Sequence, residues 1–421
     1  MPILWRQRTR NDMKRILFVD DDRRVLDGLR RMLRGMRRQW EMEFVQSGTH
    51  ALEHLAASPF DMVIADMRMP SMDGAELLHE VMTRHPATVR IILSGHCDRA
   101  GVLKSVGPTH QFVTKPCDPD RLKATIAGIC WLRDQLPDER MRQVVSRVQS
   151  VPSWRPTYEE FVAVLESPAA SVNRLGRIVA SDVGLSAKML QLVNSGFFGT
   201  PQSVYDPARA VTLLGLDALR ALLHSTDAIL PFDAGEEYDS PLHLLGTHTL
   251  AVSMAAREIA KGENGDAMVV NGAHLAGLLH DVGIPVLAGE CPERYIEAMH
   301  LASREQISLK EAEKAVFKAT RDDVGAYLMG LWGIPEPVVT AIAFHLRPRQ
   351  CAGHAFSPLT AVHVANALVE QNMSRLPGLV SPVDTDYLAR IGCAGRLEVW
   401  ADICRDAWQA ALAAYTPSAV Y

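Results

Sequence analysis

Five short strand-like runs, near residues 15–20, 42–46, 61–65, 89–93 and 110–114, punctuate the first third of the chain, and the segments between them are helical in pattern. In the first of those segments Val25, Leu26, Leu29, Met32, Leu33 and Met36 recur at i, i+4 and i+7, a spacing that lines one side of a helix. Strands that alternate with helices run parallel, and a parallel sheet has to be covered on both faces. The pattern therefore predicts a five-stranded parallel sheet wrapped by helices, over residues 14–135.

The residues directly after each run are as informative as the run itself. Asp66 ends Met62-Val63-Ile64-Ala65 and leads into Met69-Pro70 and Asp73-Gly74. Asp20-Asp21-Asp22 come after Ile16-Leu17-Phe18-Val19, Ser94 after Ile91-Ile92-Leu93, and Lys115-Pro116 after Phe112-Val113-Thr114. Side chains at the C-terminal ends of neighbouring parallel strands converge on one edge, where open α/β sheets bind ligands. There Asp20 and Asp21 with Asp66 suit Mg²⁺, a hard ion that prefers oxygen. Asp66 is placed to attack a phosphoryl group as nucleophile. Lys115 can pair with the phosphoryl oxygens, and the Ser94 hydroxyl can hydrogen-bond to them. Each residue alone has a plainer reading, since an aspartate after a strand is commonly a cap or turn residue and Lys-Pro a turn. The ordered set of acid pair, Asp, Ser and Lys points to phosphoryl transfer. Asp22 is an alternative to one of the first two acids, because three in a row leave the register open.

The phrases ILFVDDD, DMVIADMRMPSMDG, IILSG and FVTKP make residues 14–135 resemble the receiver domain of two-component response regulators. The resemblance implies a flavodoxin-like α/β fold with Asp66 as phosphoacceptor and Asp20 and Asp21 as the metal-side acids. It also implies Lys115 as the phosphoryl-binding lysine, Ser94 as the switch hydroxyl and Phe112 as the aromatic that reorients with it. A cis peptide before Pro116, Mg²⁺ as cofactor and a sensor histidine kinase as partner come with the family.

A chain of 421 residues is too long for one core of usual size, so a second domain is expected. Its 48% hydrophobic and 22% charged residues describe a globular protein, and the net charge of −5 supplies no basic field for nucleic acid. Cys97, Cys117, Cys130, Cys291, Cys351, Cys393 and Cys404 form no CxxC pair and read as reduced thiols of a cytoplasmic protein. No apolar stretch has the length of a membrane span. Residues 1–13, with Arg6, Arg8 and Arg10, read as a basic extension outside the fold.

Prolines at 137, 152 and 156 mark a boundary, read as a helical linker over 136–156. Beyond it the periodicity is helical throughout, which predicts an all-α second half. The phrases SDVGLSAKMLQLVNSGFFG and AVTLLGLDALR closely resemble the HD-related output domain, HDOD, and the expected extent is 157–375, with terminal helices over 376–421 packed on it. Ser181-Asp182 before Gly184 reads as a stop and restart between two helices.

His280-Asp281, inside AHLAGLLHDVG, could ligate a metal through imidazole and carboxylate. The region distantly resembles catalytic HD phosphohydrolases, in which histidines from other helices and a later aspartate complete a site. His248 and His345 can fill the histidine roles, but Asn366 stands where that pattern wants aspartate, and Ile284-Pro285 replace the expected lysine. A neutral amide is a poorer ligand for a divalent ion. The set His248, His280, Asp281, His345 and Asn366 is therefore read as degenerate, and a second metal there is not expected. The plainer reading of His280 is a hydrogen-bonded core histidine.

Arg30, Arg31, Arg34, Arg37 and Arg38 lie opposite the first leucine stripe and read as a solvated face. Arg347-Pro348-Arg349 reads as a basic turn. There is no helix-turn-helix with a basic recognition helix, so direct DNA binding is not expected. The whole reads as a response regulator in which a receiver switches a non-catalytic module toward an unknown downstream protein, or toward self-association as a homodimer. The rival is a receiver-regulated phosphohydrolase acting on a cyclic dinucleotide.

Overall fold

The structure, a computed structural model, describes residues 13–95, 107–194, 203–224, 231–232, 241–372 and 382–415. The expected basic extension lies outside them apart from Met13, as do residues 195–199 of the SDVGLSAKMLQLVNSGFFG motif.

Strands β1 (Lys14–Val19), β2 (Trp40–Val45), β3 (Met62–Asp66), β4 (Val89–Ser94) and β5 (Gln111–Thr114) make one parallel sheet in the order β2-β1-β3-β4-β5. Helices α1 (Arg23–Met32), α2 (Gly48–Ala57), α3 (Gly74–Arg84) and α4 (Pro119–Gln135) pack on it. Alternate strand residues sort to two faces. Ile16, Phe18, Ile64 and Ile91 meet Leu26, Leu29 and Ile126 on one side, whereas Leu17, Val63, Ile92 and Phe112 meet Leu55, Leu77 and Val81 on the other. Because both faces of the central strands are covered, β3 is apolar from Met62 to Ala65 and β1 from Ile16 to Val19.

One detail of the first helix differs from expectation. It stops at Met32, with Leu33 as C-cap, and Arg34–Met36 form a separate 3₁₀ turn. The apolar stripe is therefore shared between two elements, and Arg37 and Arg38 lie beyond both. Arg30, Arg31, Arg34, Arg37 and Arg38 are nevertheless all exposed.

The second half is built of helices α5 (Glu139–Val145), α6 (Arg155–Glu166), α7 (Val172–Ala180), α8 (Val183–Asn194), α9 (Pro207–Leu223), α10 (Pro241–Gly262), α11 (Ala267–Leu279) and α12 (Gly283–Glu290). It continues through α13 (Pro292–Glu305), α14 (Leu309–Phe317), α15 (Arg321–Leu331), α16 (Glu336–Phe344), α17 (Pro358–Asn372), α18 (Thr385–Arg390) and α19 (Leu397–Tyr415). The expectation of helices alone needs a correction, because β6 (Ser153–Trp154) pairs in parallel with β7 (Pro231–Phe232). Two residues are too few for a strand to show period-two patterning. Asp182 makes the α7–α8 break by accepting from Leu185 N at 2.8 Å, and its other oxygen ties in Trp154 N at 2.9 Å.

Residues 136–156 are not an exposed spacer. Leu136, Met141, Val145, Val148 and Val151 are buried, in an apolar core that runs unbroken from the sheet into the helical half. Carbonyls of the segment are held by cations: Leu136 O by Arg142 at 2.7 Å, Ser146 O by the buried Arg90 at 2.5 Å and Gln149 O by the buried Lys188 at 2.8 Å. The sheet domain docks directly as well, with Gln111 Nε2 donating to Gly330 O at 2.7 Å and the Trp131 ring 6.0 Å from that of Phe344. At the far end α19 buries Trp400 and Cys404, and Arg396 and the Trp400 indole share Glu263 at 2.7 and 3.1 Å.

Candidate functional site

The ends of β1 and β3 place Asp20 and Asp66 side by side, and Lys115, just past β5, reaches both. Its ammonium donates to Asp20 Oδ2 at 2.6 Å and to Asp66 Oδ1. Burial raises the Asp20 carboxyl above its ordinary range despite the lysine beside it. Burial opposes charge on Lys115 too, but Asp20 and Asp66 together raise its pKa. Asp66 Oδ2 accepts from Arg68 N at 2.8 Å, which fixes the carboxylate plane. Asp21 is exposed beside them, and the Lys115–Pro116 peptide is cis.

Asp22 is used differently. Its side chain accepts from Arg24 N at 2.7 Å and caps α1, which satisfies one of the orphan amides of a helix start. Ser94 stands at the end of β4, in register with Thr114, and its hydroxyl donates to Gly95 O at 3.2 Å instead of to Asp66. Phe112 is buried on the α2–α3 face of the sheet. Asp20 and Asp66, on adjacent strand ends, are oxygen donors of the kind that Mg²⁺ prefers.

A second cluster lies deep in the helical half. His248 on α10, His280 and Asp281 after α11, His345 at the end of α16 and Asn366 on α17 all meet there, and all are buried. His280 Nδ1 donates to Gly277 O at 2.7 Å and His345 Nδ1 to Ile342 O at 3.0 Å, so each ring turns its Nε2 inward. His280 Nε2 lies 3.2 Å from Asp281 Oδ2 and 3.2 Å from His248 Nε2. One ligand atom from each of His248, His280 and Asp281 falls within a 4.8 Å span, close enough for a metal ion.

Asn366 alters that arrangement. Its amide nitrogen donates to Glu370 Oε1 at 3.0 Å, which leaves its carbonyl to face His248 Nε2 at 3.0 Å. His248 Nε2 must then carry the proton and donate, so its lone pair sits on Nδ1, which has no partner among the described residues. An aspartate at 366 would accept equally well but would bring a charge. Burial holds His248 and His345 down at about 4. His280 is raised: burial opposes its charge, but the adjoining Asp281 carboxylate outweighs burial. Asp281 is held well below the usual carboxylate range, its burial overcome by His280 and by Arg321.

Sequence reading missed three contributors. Arg321 and Asp322 open α15 beside the cluster and act electrostatically on Asp281 and His345, while Glu370 orients Asn366. Acids in a first helical turn look like ordinary capping, so Asp322 gave no signal; Glu370 did, four residues along the helix from Asn366. Arg347 and Arg349 are spoken for, by Asp323 at 2.5 Å and by Asp384 and Asp386 at 2.7 Å each, as a basic turn requires.

Gly283 shows how tightly the cluster is framed. A Cβ there would lie 2.1 Å from Arg321 O, so α12 and α15 meet only because this residue has none. Gly283→Ala is expected to cost about 3 kcal/mol through overpacking. Urea unfolding would measure it, and a loss below about 1 kcal/mol would show that the helices separate easily.

The families fit this division of the chain. The response regulator receiver domain matches residues 16–127, and the HDOD domain matches residues 151–348. This chain joins a receiver domain to an HDOD domain. The receiver is the five-stranded parallel sheet, and the HDOD domain spans most of the helical half, with Asn366 just beyond the matched residues. An uncharacterized protein of Treponema pallidum is 26% identical over 202 residues, covering 48% of this chain and 39% of that protein. The hydrogenase transcriptional regulatory protein HoxA of Cupriavidus necator is 35% identical over 113 residues, covering 26% of this chain and 23% of that protein. Among solved structures, the signal receiver domain of an HD domain-containing protein from Pseudomonas fluorescens Pf-5 is 31% identical, with a TM-score of 0.26, covering 27% of this chain and 90% of that one. The chain spans less than half the length of these two curated relatives. Among the described residues no helix is long and apolar enough to cross a membrane.

Proposed function

We propose that this response regulator is a cytoplasmic phosphorelay protein in which Asp66 accepts a phosphoryl group from a histidine kinase and switches a non-catalytic HDOD module. The observation that carries this reading is Lys115 bridging Asp20 and Asp66. A carboxylate oxygen of Asp66 would attack the phosphorus of the donor phosphohistidine. The P–N bond breaks, the imidazole nitrogen takes up a proton, and an acyl phosphate is left on Asp66. Mg²⁺, held by Asp20, Asp21 and Asp66, would offset the charge that the phosphoryl group brings. Lys115 would exchange its hold on the Asp66 carboxylate for the phosphoryl oxygens. Ser94, now bonded to Gly95 O, is free to rotate toward them, and Phe112 would move into the space behind it. Incubation with acetyl phosphate and Mg²⁺ should add one hydroxylamine-labile phosphoryl group per chain; a chain that takes up none would refute the reading.

Asn366 speaks against HD-type hydrolase activity. The amide removes one negative charge and holds His248 as a donor, so of the three ligand atoms close enough for one ion only those of His280 and Asp281 are left to a divalent cation. Asn366→Asp is expected to tighten Mn²⁺ or Zn²⁺ binding roughly tenfold or more, within the range that neighbouring partners of metal ligands exert. Metal titration by calorimetry tests this. Equal affinity in both forms would mean that the amide is not what sets the site, and the rival reading of a cyclic dinucleotide phosphodiesterase would gain.

A further inference from the structure

Two helices of the HDOD domain touch both the receiver and the histidine cluster. On α15, Gly330 O accepts from Gln111 of β5, while Arg321 and Asp322 at its start flank Asp281 and His345. The helix between them is rigid and roughly 13 Å long at 1.5 Å per residue. On α16 the two contacts fall on neighbouring residues at its C-terminal end. The Phe344 ring packs on Trp131 of the receiver, and the very next residue, His345, packs its ring against His280 with centroids 5.1 Å apart. Gln111 in turn lies on the strand that leads through Phe112 to Lys115, the residue bonded to Asp66.

We propose that the buried histidine cluster is where the HDOD domain reads the receiver. Movement of β5 on phosphorylation shifts α15 through the Gln111–Gly330 bond, movement of α4, which follows β5 in the chain, shifts α16 through Trp131–Phe344, and together they reset the position of His345 against His280. The inference rests on the phosphorylation reading above and adds its destination. Packed cores have discrete arrangements, so a small shift at a seam is passed along a helix as a rigid-body step and is not absorbed. Linkage makes the effect reciprocal, so a change at the cluster must alter the receiver's affinity for its activating ligand by the same factor.

The test uses the full chain with ¹³C-labelled histidine, recording imidazole resonances with and without beryllofluoride and Mg²⁺, and backbone amides of β4 and β5 as a receiver control. The expected result is that His280 and His345 resonances move together with the receiver amides in the native chain. In Gln111→Ala and in Gly330→Ala only the receiver amides should move. The second variant sets a Cβ 1.9 Å from the end of the Leu132 side chain, which can turn aside, so it wedges the seam without breaking a backbone contact. His345→Gln should change the apparent beryllofluoride affinity by about fivefold or more. Receiver amides that shift while the cluster stays still overturn this inference alone, as does coupling that survives both seam variants. Receiver amides that never shift overturn the phosphorylation reading itself.

Discussion

Asp66→Asn is expected to abolish labelling by acetyl phosphate and Mg²⁺ completely while leaving the fold intact. Asparagine has the same shape and can still accept from Arg68 N, so the loop after β3 keeps its anchor. What disappears is the nucleophilic carboxylate and the charge that pairs with Lys115. Asp22→Ala is the informative control. It removes the α1 cap and should cost about 1 kcal/mol of stability without loss of labelling, because that side chain is turned to Arg24 N. Intact-mass analysis of both variants reads the result. Labelling that persists in Asp66→Asn, or vanishes in Asp22→Ala, would show that the acids have been assigned wrongly.

The second large effect concerns Lys188. Its ammonium is buried between the interdomain segment and the helical half, donates to Gln149 O at 2.8 Å and lies 5.5 Å from the centre of the Trp332 ring. Burial pulls its pKa down from 10.5 to about 7. Between those two values the unfolded chain binds a proton that the folded chain has released, so this group makes stability rise with pH across the window. Below about pH 7 both states are protonated and its contribution is flat at its least favourable value. Each pH unit inside the window is worth at most about 1.4 kcal/mol. Lys188→Met should flatten the rise and should stabilise the protein near neutral pH, by an amount reduced by about 1–3 kcal/mol for the unpaired Gln149 carbonyl. Urea unfolding at neutral and alkaline pH gives the comparison. A native chain whose stability does not climb through this interval would show that the ammonium is paired or solvated.

The receiver's fold was legible in the sequence, and so was the placing of its candidate residues at strand ends. A run of apolar residues dictates where a strand stops, parallel pairing brings those stops to one edge, and Asp20, Asp66, Ser94 and Lys115 each come directly after such a run or at its end. The choice among Asp20, Asp21 and Asp22 was not legible, since three identical side chains differ only in where the backbone turns. Nor was the end of α1 at Met32, because leucine and methionine continue past it at helical spacing. The two-residue pair of β6 and β7 is fixed by packing from a distance and leaves no local pattern.

The histidine cluster divides in the same way. His280-Asp281 stands out as a dipeptide, and His248, His345 and Asn366 could be nominated. Which nitrogen of each ring faces inward depends on carbonyls of Gly277 and Ile342 and on Glu370 behind Asn366. Hydrogen-bond direction is a property of neighbours brought together from four helices, so residue identity alone leaves it open.

Local order and composition thus determined two domains, their fold classes and the position of Asp66 at the end of a strand, because hydrophobic periodicity and strand termination are short-range properties of a chain. Only the tertiary structure decided that residues 136–156 are buried in a continuous core, that Asp22 is a cap, and that α15 and α16 connect the receiver to His345. Those features depend on which surfaces exclude water against each other, and that is settled by residues as far apart as Gln111 and Gly330.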